Sequence, residues 1–346
     1  MNFKADKEYM LECLRKLIEI PSPVSYYDEI NPFMEKLADE YGLPCSFDRK
    51  HTAYYTLEGE DNRKTVLIGA HLDTLGLMIR NIKSDGTISI RPLGGVNFMS
   101  LEGSSVVVHT RDGRKYSGIL ACTSHSTHVF DDARTLVRDE NNIYISLDEN
   151  VTTADEVRAL GIESGDIVSI NPEFEYTENG YIKSRFIDNK AGVAAVLGAL
   201  KYLKDNNIKP KYRTLLAFPH YEEINHGGAY VPPEVEEYVA IDIGLIGPEN
   251  RGSERKVSIC CKDNFSPYDR GLTTKIINCA KSCGCDYAVD VFYHYGTDAN
   301  AAIRSGNNVY SAAFGMGCFC SHGRERTHIS SIENTAELIL AYMLAE

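Results

Sequence analysis

Short, continuous apolar segments that end in polar residues constrain the fold of this chain more than any other feature. One is TVLIGAHLD at residues 65–73, and TLLAF, YVAIDIGL and NVYSAAF follow later in the sequence. Such segments are typical of strands in a parallel sheet, where both faces are buried. Helical stretches with one apolar face separate them, which predicts a three-layer α/β domain with a mostly parallel, mixed sheet.

The region after the first of these segments has a different pattern. Short runs of alternating polar and apolar residues are separated there by turn dipeptides such as Asp85-Gly86 and Asp112-Gly113. This pattern is typical of hairpins in an all-β unit, and it predicts a small, β-barrel-like insert. We therefore predict a discontinuous α/β domain and one inserted β domain, with these bounds: residues 1–76 with 177–346, and residues 77–176.

Charge and composition exclude several classes of partner. The formal net charge is −13 and the isoelectric point is about 5.3, so we expect no nucleic-acid partner. The first twenty residues are charged and lack the apolar core of a signal peptide, and no stretch approaches the roughly 18 apolar residues of a membrane span. We expect a cytoplasmic protein without a membrane partner, whose ten cysteines are reduced thiols.

Acidic and imidazole side chains recur at the ends of the apolar segments and near the start of a helix. They are His71 with Asp73, Asp188, Glu222 with Glu223, Asp242, and His322. Each alone is typical of an ordinary cap or turn residue. Together they indicate a site, because ligands bind open α/β sheets beyond the carboxyl ends of the strands. Imidazole nitrogen and carboxylate oxygen suit zinc, cobalt or manganese, so the set predicts a centre for two divalent cations.

The adjacent pair Glu222-Glu223 is informative in a second way. Two neighbouring carboxylates repel each other unless positive charge lies nearby. One of them can bind a cation while the other stays free as a base, which is what a hydrolase needs.

Nearly the whole sequence also carries motifs of a known family. They are IPSPVSYYDEI, GAHLDTLGLMI, FIDNKAGVAA, FPHYEEINHGGA, AIDIG, YGTDANA and SHGRERTHISSIENT. In these segments the chain resembles the tetrahedral and glutamyl aminopeptidases, which are co-catalytic dimetal, zinc-type metallopeptidases. His71 and Asp188 are 117 positions apart, which fits this branch with its early β insert. The related carboxypeptidases and deacylases place these two ligands only a few dozen residues apart.

The resemblance implies which residues hold each metal ion. His71, Asp188 and Asp242 would bind one ion. Asp188, Glu223 and His322 would bind the other, with Asp188 bridging the two. His328 remains an alternative for the last ligand, and we favour His322.

The resemblance also implies the catalytic roles. Glu222 would take a proton from the metal-bridging water and pass it to the leaving amine, while Asp73 would orient His71. The peptide bond between Asp188 and Asn189 is expected to be cis, as is common in the family.

The resemblance also has implications for substrates and assembly, although three residues depart from the family pattern. The resemblance implies peptide substrates with a free amino terminus, and a PDZ-like insert that mediates homo-oligomers ranging from dimers to dodecamers. Thr74, Lys190 and Asn225 stand where relatives usually carry an acidic residue, an arginine and a glycine. Substrate preference therefore cannot be transferred from the relatives.

Two other functions remain open at this point. One is a deacylase or carboxypeptidase that acts on N-acyl amino acids. The other is a non-catalytic scaffold that a bound metal stabilises. The presence of Glu222 argues against the scaffold, because a base that binds no metal has little structural use.

Overall fold

The computed structural model describes residues 3–346, which form seven α-helices and eighteen strands. The helices are α1 Lys7–Glu19, α2 Ile30–Glu40, α3 Ala154–Ala159, α4 Ile187–Asp205, α5 Arg270–Cys283, α6 Asp298–Arg304 and α7 Ile329–Met343. The first nine strands are β1 Cys45–Phe47, β2 Ala53–Leu57, β3 Asp61–Gly69, β4 Gly76–Ile82, β5 Ile88–Leu93, β6 Ser105–His109, β7 Lys115–Cys122, β8 Ile143–Leu147 and β9 Ile167–Ile170. The others are β10 Glu175–Tyr176, β11 Tyr181–Ser184, β12 Tyr212–Phe218, β13 Val235–Ile241, β14 Gly244–Leu245, β15 Val257–Lys262, β16 Tyr287–Val291, β17 Tyr310–Cys318 and β18 Glu325–His328.

A nine-stranded mixed sheet forms the centre of the α/β part, in the order β1-β2-β12-β3-β13-β17-β15-β16, with β14 beside β17. The four central strands β12, β3, β13 and β17 are mutually parallel. Strands β1, β2 and β12 pair antiparallel, as do β15 and β17. The predicted mostly parallel, mixed sheet is therefore confirmed.

Both faces of this sheet are buried, as the continuous apolar segments predict. In β3, Val66 and Ile68 belong to one core and Leu67 belongs to another, because successive side chains point to opposite faces. Helices α1, α4 and α7 contribute to the first core, and α6 contributes to the second. Nearly all of α4 is buried, so this helix lies inside the domain. The three-layer α/β architecture is confirmed.

The insert is a separate β-barrel. Its six strands close in the order β4-β5-β8-β7-β6-β9, and all of its pairs are antiparallel. Inward-facing aliphatic side chains such as Leu77, Val108 and Ile145 form a hydrophobic core of their own. The barrel strands lie between Gly76 and Ile170, and a small sheet of β10, β11 and β18 follows. The predicted β-barrel-like insert is confirmed as an architecture.

Two further sequence expectations can be compared with the structure. The ten cysteines are all free, with Cys279 and Cys283 one turn apart on α5. Within residues 3–346, no helix combines the length and the apolar composition needed to cross a membrane.

Candidate active site

The carboxyl ends of the central strands deliver most of the predicted site residues to one place. Strand β3 ends two residues before His71, and β13 ends directly before Asp242. A short 3₁₀ turn, Glu222–Ile224, follows β12 and carries both glutamates. Because neighbouring parallel strands end at the same edge of a sheet, residues far apart in sequence meet there.

His71 lies at the centre of the group and is buried. Its Nδ1 is 3.0 Å from the carbonyl oxygen of Asp73, so this nitrogen donates a hydrogen bond. Its Nε2 lies 3.1 Å from Asp188 Oδ1, with Glu222 Oε2 at 3.6 Å and Asp242 Oδ1 at 3.9 Å. The ring is therefore fixed with Nε2 directed at the carboxylates, which is the nitrogen that a cation would use.

The ring of His322 is oriented like that of His71, with Nδ1 at a carbonyl oxygen and Nε2 directed at carboxylates. Its Nδ1 lies 2.8 Å from the carbonyl oxygen of Gly95, a residue of the barrel. Its Nε2 is 3.5 Å from Glu223 Oε2 and 3.7 Å from Asp188 Oδ2. The imidazole side chain is 37% exposed, so this part of the group is open to solvent.

His328 lies outside the group. Its Nε2 is 2.9 Å from the carbonyl oxygen of Asn179, and its Nδ1 is 2.7 Å from Ser330 Oγ. The side chain also accepts from the backbone of Ser330 at the start of α7. These contacts give His328 a capping role and favour His322 as the histidine of the site.

Asp73 connects two parts of the site. Its carboxylate accepts the backbone N–H of Glu222 and that of Glu223, each at 3.1 Å. Burial alone would raise the pKa of Asp73, but its contacts with His71 and these N–H groups hold it below the usual value. Asp73 therefore contacts the imidazole of His71 and also holds the turn that carries both glutamates.

Asp188 is positioned by an unusual start to helix α4. The peptide bond between Asp188 and Asn189 is cis, as predicted, and the backbone of both residues is non-helical. The N–H of Asp188 donates to Glu325 Oε2 at 3.0 Å, and the N–H of His322 donates to Glu325 Oε1, also at 3.0 Å. Glu325 thus holds two predicted ligands at once. No sequence pattern marks Glu325 for this role, because a glutamate between Arg324 and Arg326 resembles a solvated surface charge.

Three carboxyls of the group have strongly perturbed acidity. Burial, reinforced by neighbouring carboxylates, raises the pKa values of Glu222, Glu223 and Asp242 well above their usual range. Burial opposes protonation of His71, but the surrounding carboxylates raise its pKa well above the usual value. Acidic side chains therefore crowd around one imidazole at this edge, and their oxygen and nitrogen donors fit divalent cations.

The donor atoms form two groups of three within 4.8 Å of one another. One contains His71, Glu222 and Asp242, and the other contains His71, Asp188 and Glu223. This grouping differs from the ligand sets that the resemblance implies, since it includes Glu222 and leaves out His322. His322 is nevertheless directed at Glu223 and Asp188, so the six side chains form one continuous cluster.

Asp298 lies beside the cluster and was not among the predicted site residues. It is the first residue of α6 and is buried, with Oδ1 accepting the N–H of Gly228 and Oδ2 lacking a hydrogen-bond partner. Burial raises its pKa to about 7. A Cβ atom at Gly227 would lie 2.3 Å from Asp298 Oδ1, so only glycine lets the backbone pass this close. From the sequence, Asp298 was equally well explained as part of a turn before a helix.

The cluster opens into a cavity of about 550 Å³. Its lining includes Asp188, Glu222, Glu223, Asp242 and His322. The rest of the lining comes from Gly95, Asn225, Ile243, Leu245, Asn264, Phe265, His294, Tyr295, Gly296 and Ser321. Space for a small part of a substrate therefore lies directly against the acidic group.

Comparisons with known proteins agree with this fold. The family model of the M42 glutamyl aminopeptidases matches residues 52–338. The Bacillus subtilis protein YhfE is 37% identical over 334 residues, which is 96% of each chain. The TET aminopeptidase of Thaumarchaeota archaeon SCGC AB-539-E09 has a TM-score of 0.87 at 19% identity, covering 97% of this chain and 96% of that one. The TET1 peptidase of Pyrococcus horikoshii has a TM-score of 0.84 at 24% identity, covering 97% and 100%.

The family match and the aminopeptidase relatives, together with this fold, identify the chain as a peptide-bond hydrolase. More particularly, it belongs to the M42 glutamyl aminopeptidase family. Its members are metallopeptidases, which agrees with the donor set described above.

Proposed function

We propose that this chain is a metal-dependent aminopeptidase that removes the amino-terminal residue of peptides, with Glu222 as general base. The observation that carries the proposal is the convergence of two imidazoles and four carboxylates in one cluster that opens into the cavity. A carboxylate cluster of this density costs folding free energy unless cations neutralise it.

Two divalent cations per chain would be held by five side chains. They are His71, Asp188, Glu223, Asp242 and His322, and we keep Asp188 as the bridging ligand because it faces both imidazoles. Zinc suits these donors, as do cobalt and manganese. When bound, such ions lower the pKa of water and polarise the scissile carbonyl.

The position of Glu222 supports a role in proton transfer from the attacking water to the departing amine. Its Oε2 lies 3.6 Å from His71 Nε2, and the hydrogen bond from its N–H to Asp73 fixes the turn. In the proposed reaction it takes a proton from the attacking water and returns that proton to the departing amine nitrogen. Acid–base groups of this kind contribute about 10²- to 10⁴-fold to rate.

The alternative activities receive less support. Membership in an aminopeptidase family favours hydrolysis at a free amino terminus over a deacylase or carboxypeptidase acting on N-acyl amino acids. A metal-stabilised scaffold would have no use for Glu222, which is held against the cluster but is not needed to complete the ligand set.

We also propose that residues 77–176 form an oligomerisation domain and that the chain works in the cytoplasm as a homo-oligomer, from a dimer to a dodecamer. The P. horikoshii TET1 peptidase assembles into a tetrahedron or an octahedral shell. In this chain the barrel region exposes large apolar side chains, including Met99, Val129 and Val137. Replacing residues 77–176 with a short flexible linker and measuring mass by light scattering tests the assembly role. An unchanged oligomer would refute it.

The metal dependence can be tested by removing and restoring the ions. Chelated protein should regain activity with zinc, cobalt or manganese, bind two ions per chain by elemental analysis, and hydrolyse aminoacyl amides but not their N-acetylated forms. Asp188→Ala should lose both ions and activity, while the control Asp205→Ala, on the exposed end of the same helix, should retain them. Hydrolysis of the N-acetylated substrates alone would favour the deacylase, and metal binding without any hydrolysis would favour the scaffold.

A further inference from the structure

One wall of the cavity carries none of the proposed metal ligands. We call it the neutral wall, and it consists of Asn225, Ile243, Leu245, Asn264, Phe265 and Tyr295. Ile243 directly follows Asp242, so the wall begins next to the acidic cluster. Because an aminopeptidase holds the first residue of its substrate beside the reacting bond, the side chain of that residue must meet this wall.

The segment that carries Phe265 is held by one buried carboxylate. Asp263 Oδ1 accepts the N–H of Phe265 at 2.8 Å and that of Ser266 at 3.0 Å. Its two oxygens also accept the amide of Asn300, at 2.7 and 2.8 Å, and Oδ2 accepts the hydroxyl of Tyr268 at 3.0 Å. These hydrogen bonds make this part of the wall rigid. They also occupy both oxygens of Asp263, so this carboxylate is not available to pair with a basic substrate side chain.

Two positively charged side chains lie near the wall but do not line the cavity. Lys262 donates its Nζ to the carbonyl oxygen of Asp263 at 2.6 Å. The Arg304 guanidinium lies 3.9 Å from the centre of the Phe265 ring, and neither it nor Lys262 lines the cavity. Within the described residues 3–346, the lining includes no lysine or arginine at all. Apart from the exposed imidazole of His294, the lining that these described residues form outside the acidic cluster offers an acidic substrate side chain no partner of opposite charge.

The remaining surface of the wall combines apolar and aromatic side chains with the uncharged amides of Asn225 and Asn264. The Tyr295 hydroxyl donates to the carbonyl oxygen of Ile243, and the Tyr295 carbonyl accepts the N–H of Asn264. Phe265 is 42% exposed, and its ring lies so close to Gly296 that a Cβ there would be 2.8 Å from Cε2. At the rim, the exposed His294 packs its ring against Tyr293.

We propose that the neutral wall selects peptides whose first residue is bulky and apolar, such as leucine, methionine or phenylalanine, and that Phe265 is the main specificity-determining residue. This inference rests on the proposed aminopeptidase function. A charged first side chain loses water at this wall without gaining an ion pair, whereas an apolar one buries surface against Phe265, Ile243 and Leu245. The chain thereby differs from the acidic preference in its family's name.

The proposal is tested by comparing kcat/KM for coumarin amides of leucine, phenylalanine, alanine, glutamate and lysine on the metal-loaded protein. Leucine and phenylalanine substrates should exceed glutamate and lysine substrates by about tenfold or more, the scale on which binding pockets discriminate. Equal or faster cleavage of the charged substrates would overturn the specificity inference and leave the aminopeptidase function intact.

Variants of the wall sharpen this test. Phe265→Ala should raise KM for the phenylalanine and leucine substrates several-fold, with a smaller change for alanine, while Phe265→Leu should keep the preference. Phe47→Ala is the matched control, because Phe47 is similarly exposed at 39% but lies on β1 and does not line the cavity. Asn264→Lys should increase cleavage of the glutamate substrate. An unchanged preference in both Phe265→Ala and Asn264→Lys would refute the role of the wall.

A binding measurement separates failure of this inference from failure of the proposed function. If no aminoacyl substrate is hydrolysed, the proposed function fails, and calorimetry with free amino acids then decides the inference. Metal-loaded Glu222→Gln should bind L-leucine and L-phenylalanine more tightly than L-glutamate and L-lysine. Tighter binding of either charged amino acid would overturn the inference, whatever the activity.

Discussion

The sheet edge and the inserted barrel differ in what they bury. At the sheet edge, His71, Asp73 and Asp188 are almost inaccessible to water, although each can carry charge. The core of the barrel consists of aliphatic side chains such as Leu77 and Ile145. Aliphatic burial stabilises a fold directly, whereas buried charges lower stability unless they are paired. Burial therefore stabilises the barrel, whereas it places ionisable side chains together at the sheet edge at a cost in stability. Substitutions in the two regions should differ in their effects on stability and activity.

The largest effect is expected from Glu222→Gln at the sheet edge. Glutamine keeps the shape of the side chain but cannot accept a proton, so kcat should fall by about 10²- to 10⁴-fold with little change in KM. Elemental analysis should still find two ions per chain.

Glu223→Gln is the matched comparison on the same turn. It should weaken one metal site, so added zinc or cobalt should restore part of the activity. If Glu222→Gln lost metal and Glu223→Gln kept it, the proposed roles of the two glutamates would have to be exchanged.

A smaller effect is expected from Asp73→Asn. An asparagine has only one oxygen to accept the two N–H groups of Glu222 and Glu223, and its amide would face the second N–H. Loss of a group that orients metal ligands typically costs about 10- to 100-fold in metal affinity or activity. Metal titration would measure the loss of affinity, and initial rates would measure the loss of activity. Activity equal to that of the unmodified protein would show that Asp73 does not hold the site together.

The next largest effect is expected in the pH dependence of stability, which should arise from the ionisable groups at the sheet edge. Asp298 has a folded-state pKa raised from 3.8 to about 7, and the pKa values of Glu222, Glu223 and Asp242 are also raised. The raised pKa of Asp298 contributes stability that is fully present below about pH 4 and is lost as the pH rises through about 7, and the raised pKa values of the other three carboxyls act in the same direction. Asp73, whose pKa is lowered, has the opposite sign and offsets part of this loss.

We therefore expect the melting temperature of chelated protein to fall between about pH 5 and pH 8, and that of metal-loaded protein to fall less. Calorimetry of both forms across this range would measure the difference. Asp298→Asn should reduce the slope in the chelated form. Identical slopes with and without metal would contradict the view that cations neutralise this edge.

The smallest effect on activity is expected from a change in the barrel core. Ile145 is fully buried there, and Ile145→Ala should lower the free energy of unfolding by about 2–5 kcal/mol. The metal content should stay at two ions per chain, because the residue belongs to a separate core. Denaturant unfolding and elemental analysis test both parts, and metal loss in this variant would show that the two regions are not independent.

The fold could be predicted from the sequence because strands and turns leave local patterns of apolar and polar residues. The continuous apolar segments around Val66, Leu216 and Val239 became central parallel strands, and the turn-rich region became a closed barrel. Residues such as His71 and Asp242 were found for the same reason, since each follows a recognisable strand.

The supporting residues of the site could not be found in this way. Glu325 acts on the backbone of Asp188, 137 positions away, and no local pattern marks such a contact. Asp298 follows a threonine at a helix start, which is typical of ordinary capping sequences. Asp263 holds the neutral wall through hydrogen bonds that become visible only when the loop is folded. Local patterns encode the elements, whereas these contacts depend on tertiary structure.

The position of Glu325 has a consequence for the timing of synthesis. This single side chain joins the N–H groups of Asp188 and His322, and β17, which precedes it, lies inside the sheet between β13 and β15. A ribosome therefore has to release the segment from 310 to 325 before the sheet can close and the two ligands can be locked together. Until then Asp188 and His322 lack their common hydrogen-bond partner, so this part of the sheet edge is completed only when translation of the domain is almost finished.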